Sequence, residues 1–93
     1  MQGFERGTAH APSVLAAREL TVAGYRLSYR LLLVAQVPSA FTVEIAQEHG
    51  ERAAAFVGFD LFAAIKIYKT VSRYRVFPCH LADVAKDLLL EQL

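Results

Sequence analysis

The chain predicts an α+β domain: a three-stranded antiparallel meander followed by two C-terminal helices packed on one face. Three observations lead there. Between Tyr25 and Phe59 apolar residues alternate with polar or small ones, the period-two mark of strands with one wet face. From Leu61 onward the apolar spacing becomes three and four, the period of amphipathic helices. Pro78 then interrupts the helical region, since proline has no N–H to give and clashes with the preceding turn, so two helices are expected.

Met1 to Pro12 mixes Gly3, Gly7, His10 and Pro12 with scattered charge and no period. Residues 1–12 are therefore expected as a flexible tail and residues 13–93 as one domain. Ser13 to Ala23 supports two readings. Ser13 is placed to cap a short helical turn through Val14-Leu15-Ala16-Ala17, whereas Glu19-Leu20-Thr21-Val22 alternates like a fourth, N-terminal strand. Gly24 fits either a bulge or a turn.

The first strand of the meander sets Tyr25, Leu27, Tyr29, Leu31 and Leu33 on one face and Arg26, Ser28 and Arg30 on the other. Val37-Pro38-Ser39 breaks the pattern, and a loop is expected there. Phe41, Val43 and Ile45 alternate with Thr42, Glu44 and Ala46 in the second strand. Glu48-His49-Gly50-Glu51 reads as the next turn, with Gly50 in the left-handed conformation, and Ala53 to Phe59 as the third strand. Asp60 is the expected N-cap of the first helix, whose stripe is Leu61, Ala64, Ile65, Tyr68 and Val71. Leu81, Val84, Ala85, Leu88 and Leu89 form the stripe of the second, with Asp83, Lys86, Asp87 and Glu91 largely outside it.

Composition narrows the function. The apolar share of 55% exceeds the usual figure of about 45–50%, and mean hydropathy is +0.31, which predicts an apolar patch covered by self-association, most simply a dimer. Ten Lys and Arg against nine Asp and Glu leave a net charge of +1, so no whole-molecule field favours nucleic acid or acidic membranes. Cys79 is the one cysteine, which points to a reducing cytoplasm rather than a disulfide-stapled secreted domain. No apolar signal segment opens the chain, and runs such as Leu31-Leu32-Leu33-Val34-Ala35 fall far short of the roughly 18–20 residues a membrane helix needs.

Four groups of residues carry candidate chemistry. Cys79 and His80 precede the second helix, where the helix dipole favours a thiolate. Their side chains diverge at a helix entry, and a thiol nucleophile takes its histidine from elsewhere in the fold, so an enzyme using Cys79 or His80 ranks last and no catalytic residue is assigned. His80, Asp83 and Asp87 recur at i, i+3 and i+7, a stripe able to hold a metal or move a proton, but a single histidine is better read as part of a helix entry; no metal or cofactor is assigned. Lys66, Lys69, Arg73 and Arg75, interleaved with Tyr68 and Tyr74, form a basic run suited to phosphates or bases. Its plain alternative is a solvated face paired with the acids of the second helix, with Tyr68 in the core. Leu32, Val34 and Phe41, together with exposed strand edges, are the expected interaction surface, because an open edge accepts a strand from another chain.

Tyr25-Arg26-Leu27-Ser28-Tyr29-Arg30-Leu31-Leu32, Phe41-Thr42-Val43-Glu44-Ile45 and Val76-Phe77-Pro78-Cys79-His80-Leu81-Ala82-Asp83-Val84 resemble a family of short, uncharacterised bacterial proteins from anaerobic Gram-positive species. The resemblance spans about Gly24 to Leu90 and rests on the closing Val-x-Pro-x-His-Leu-x-Asp-Val pattern. Phe41-Thr42 stands where that family has Tyr-Gly. The resemblance implies no activity, since none is assigned to the family. The leading expectation is a small cytoplasmic protein–protein interaction or regulatory module that self-associates without a cofactor. A weak nucleic-acid or phosphate binder is the runner-up.

Overall fold

The structure, a computed structural model, describes residues 12–34 and 39–91. The expected tail up to Ala11 and the loop expected at Val37-Pro38 lie outside the described residues. The architecture is the predicted α+β class with the fourth strand present. Strands β1 (Ser13–Val22), β2 (Tyr25–Val34), β3 (Ala40–Gln47) and β4 (Arg52–Phe56) form one antiparallel sheet in that spatial order. Helix α1 (Leu61–Arg73), a 3₁₀ turn (Pro78–His80) and helix α2 (Leu81–Glu91) follow.

The N-terminal strand is longer than its alternation implied, running from Ser13 where a capped helical turn was the competing reading. Pairing with β2 decides this: Ser13 lies opposite Leu33 and Val22 opposite Tyr25, with a register shift at Leu15, between Val14 and Ala16. That bulge lets an irregular apolar run join the ladder. Ala23 and Gly24 form the two-residue turn with φ of 52° and 84°, the doubly positive geometry that matches strand twist. Gly24 is thus a turn residue.

At the β3–β4 hairpin the left-handed residue is His49, with φ 57°, and not Gly50. A Cβ at Gly50 would lie 2.9 Å from the end of the Gln47 side chain, a flexible group that can swing aside. Strand β4 also ends at Phe56, three residues short of expectation. Phe41 accepts from the Val57 N–H at 2.8 Å and donates to the Gly58 carbonyl at 2.9 Å, so two residues oppose one and the strand bends out of the ladder.

Asp60 caps α1 as predicted, its carboxylate accepting from the Ala63 N–H at 3.2 Å. The buried stripe is rotated from the expected one: Ala64, Ile67, Tyr68 and Val71 face the core, Leu61 is 41% exposed and Ile65 is half-buried. The helix stops before Pro78 acts. Val76 N–H reaches the Val71 carbonyl at 3.1 Å and Arg75 N–H the Ser72 carbonyl at 3.2 Å, the paired bonds of a Schellman ending, with Arg75 left-handed at φ 56°.

Both helices cover one face of the sheet, α1 over β2 and β3 and α2 along β4. Leu27, Tyr29, Leu31, Phe41, Val43 and Ile45 point into that layer and meet Val57, the α1 stripe, Leu81 and Ala85. Val84, Leu88 and Leu89 pack half-buried against its margin. Tyr29 is fully buried at the centre, and its hydroxyl donates to the Val76 carbonyl at 3.0 Å. On the opposite, helix-free face Arg30 pairs across strands with Glu44, and Arg26 with Glu19.

Tyr29→Phe is expected to cost about 1–2 kcal/mol in urea unfolding, since it leaves the Val76 carbonyl without its partner while keeping the ring; an unchanged midpoint would contradict this. Burial raises the Tyr29 pKa above the usual tyrosine range, against the opposing charge of Arg75, and burial raises Tyr68 likewise against Arg18. A raised phenol holds its proton more tightly folded than unfolded. Its contribution is therefore complete below about pH 10 and is lost as pH climbs from there through the folded value. Stability is expected to fall above about pH 10, and Tyr29→Phe to flatten that fall. Ala23→Asn, which suits the left-handed turn position, is expected to add about 0.5–1 kcal/mol by the same unfolding assay.

Candidate functional site

A four-stranded meander has two edges, and here they are built differently. β1 exposes Val14 and Leu15 but carries the bulge at Leu15 together with exposed Arg18 and Glu19, features that discourage pairing with another chain. β4 reads Arg52-Ala53-Ala54-Ala55-Phe56, with no proline and one charge, at its start. The hydrogen bonds of Val57 and Glu51 to β3 set the parity: odd residues of β4 bond inward, while the N–H and C=O groups of Arg52, Ala54 and Phe56 point outward along the edge that no described strand pairs.

Beside that edge runs a groove of about 480 Å³ lined by Ala54, Ala55, Phe56, Ala82, Ala85, Lys86, Leu89 and Leu90. Small alanines on both walls leave the trough, and larger apolar groups stand at its end. Phe56, Phe59 and Leu90 are 51%, 58% and 58% exposed, and the two phenyl rings meet edge to face with centroids 5.1 Å apart. Among the described residues no acidic side chain lines this groove, and Lys86 is its one charged wall residue.

Of the expected interaction residues, Phe41 faces the core and is 6% exposed, Leu32 is 9% exposed between Val14 and Thr42, and Val34 is half-buried. Phe41 shares the inward parity of Val43 and Ile45, so it lies within the core cluster, with Val57 across from it. Val14, Leu15 and Tyr25 stay open on β1 and β2 and Phe62 on α1, but the open apolar surface that borders an apolar groove lies at the end of β4. One signal for it was available: as the last strand of a meander β4 had to be an edge, and Phe56 has the parity of Arg52.

A second groove, of about 350 Å³, lies between α1 and α2. Lys66, Lys69 and Arg73 line it with Ile67, Thr70, Tyr74, Leu88 and Glu91. Three of the four expected basic residues are thus brought together. Arg75 is not among the lining residues; it occupies the left-handed position after α1, near enough to Tyr29 to oppose the rise in its pKa. Among the described residues the salt bridges are Arg26–Glu19 and Arg30–Glu44, so the expected pairing of the basic run with α2 acids is not seen. Tyr68 is in the core, as expected, while Tyr74 is 72% exposed.

Cys79 and His80 lie exposed on the 3₁₀ turn, and Asp83 and Asp87 are exposed on α2. No group of three or more His, Cys, Asp or Glu able to hold a metal occurs among the described residues. No described helix is long and apolar enough to cross a membrane. Cys79 is expected to titrate completely with a thiol reagent in the native protein without denaturant, and incomplete reaction would contradict its exposed position. In comparison with known proteins, no family model matches this chain, and the curated proteins and solved structures yield no significant match.

Proposed function

We propose that this protein is a small interaction module that self-associates by joining β4 of one copy to β4 of a second, making one sheet continuous across both. It works without cofactor or catalytic chemistry of its own, in a reducing compartment such as the cytoplasm, where Cys79 stays a thiol. The observation that carries the reading is the β4 edge, which no described strand pairs, lying beside an apolar groove, while the other edge carries a bulge and charges.

The occupant favoured is a second copy because the surface complements itself. Antiparallel pairing about a two-fold axis at Ala54 uses the outward peptide groups of Arg52, Ala54 and Phe56 in both chains. In that register Arg52 never meets its own counterpart. Each guanidinium lies across from the exposed Phe56 ring of the other copy, a cation–π arrangement, on a molecule whose net charge of +1 offers little repulsion. The alanine troughs beside α2 then close over each other, and Phe59 and Leu90 flank the junction.

Light scattering during size-exclusion chromatography is expected to give a dimer. Ala54→Pro deletes an edge N–H that the single subunit does not use, and Phe56→Glu removes the exposed ring. Each should weaken dimerisation by at least about 2 kcal/mol, roughly 30-fold in Kd, with the circular dichroism of the subunit unchanged. A strict monomer at every concentration overturns self-association; a dimer indifferent to both changes overturns the β4 junction.

A further inference from the structure

We infer that the groove between α1 and α2 is a second site, separate from the β4 edge, which binds the phosphodiester backbone of single-stranded nucleic acid. None of its lining residues lines the β4 groove, so it does not depend on dimerisation.

Lys66, Lys69 and Arg73 stand at i, i+3 and i+7 on α1, which stacks their charges along one side of the helix over roughly 10 Å. All three are exposed, and among the described residues none makes a salt bridge. The hydroxyls of Thr70 and Ser72 donate to the backbone carbonyls of Lys66 and Lys69. Binding that displaces counterions from phosphates needs just such a row of unneutralised cations.

Tyr74 makes the site specific to nucleic acid rather than to phosphate in general. It caps α1 through its backbone, while its ring stands 72% exposed beside Arg73, free to stack on a base. Ile67 and Leu88 supply apolar floor for a sugar or base. The recessed trough suits one splayed strand, whereas a duplex or a bilayer presents a broad surface that cannot enter it. Glu91 also lines the groove and opposes the ligand's charge, which keeps affinity modest.

Fluorescence anisotropy of the full chain with labelled oligo-dT and oligo-U of about 12 nucleotides tests the site. Three phosphate contacts predict a log–log salt slope of about −2, a loss of roughly 20-fold in affinity between about 50 and 200 mM salt. The Lys69→Glu, Arg73→Glu double variant should abolish binding. Tyr74→Ala should weaken it by about fivefold or more while Tyr74→Phe retains it, and Glu91→Gln should tighten it. All these positions are solvent-facing, and an unchanged unfolding midpoint confirms that the variants fold. No binding at about 50 mM salt, or binding indifferent to the double charge reversal, overturns the site. Preferential binding to phosphatidylserine vesicles, uncompeted by oligonucleotide, overturns its assignment to nucleic acid.

Discussion

The bond from the Tyr29 hydroxyl to the Val76 carbonyl is the constraint on which the rest of the structure depends. Tyr29 sits on the middle of β2 with no exposed surface, so its ring is core and its hydroxyl has to find a partner inside the protein. That partner belongs to the turn after α1. The Schellman bonds at the end of α1 set Arg75 left-handed, the Tyr29 bond ties that turn to the sheet, the chain reverses, and Pro78 opens the short turn into α2. The placement of α2 along β4, and hence the groove beside the free edge, follows from that reversal.

Two helices on one face cannot cover everything a four-stranded sheet of this size presents. On the helix-free face the Arg30–Glu44 and Arg26–Glu19 pairs join cross-strand neighbours, the first partly buried and the second open to water. The exposed Arg26–Glu19 pair contributes little stability; both pairs place charge on the face that the helices leave uncovered. Part of the surplus apolar surface gathers where β4, the loop through Phe59 and the end of α2 meet, with more at Phe62 on α1 and at Val14, Leu15 and Tyr25 on β1 and β2. α2 contributes to both grooves, presenting Ala82, Ala85 and Leu89 to one and Leu88 and Glu91 to the other. A single amphipathic helix thus separates an apolar surface suited to a protein from a basic one suited to a polyanion.

The sequence by itself determined the class of fold and most element boundaries, because these rest on local chemistry. Alternation along β2 and β3 identified the core face, Asp60 marked the helix start, and Pro78 required a break. Those effects act within a few residues and survive any packing. What tertiary structure alone decided was which members of each pattern are used. Ser13–Ala17 became strand because β2 offered a ladder; α1 turned Ile67 inward in place of Leu61; Phe41 was covered while Phe56, of opposite parity at the sheet edge, was left open. Lys66, Lys69 and Arg73 share a groove and Arg75 does not, because one residue's left-handed φ after the helix end redirects the chain. Propensity and periodicity are properties of neighbours along the chain, whereas exposure is set by partners distant in sequence, and here those partners are the helices laid over one face of the sheet.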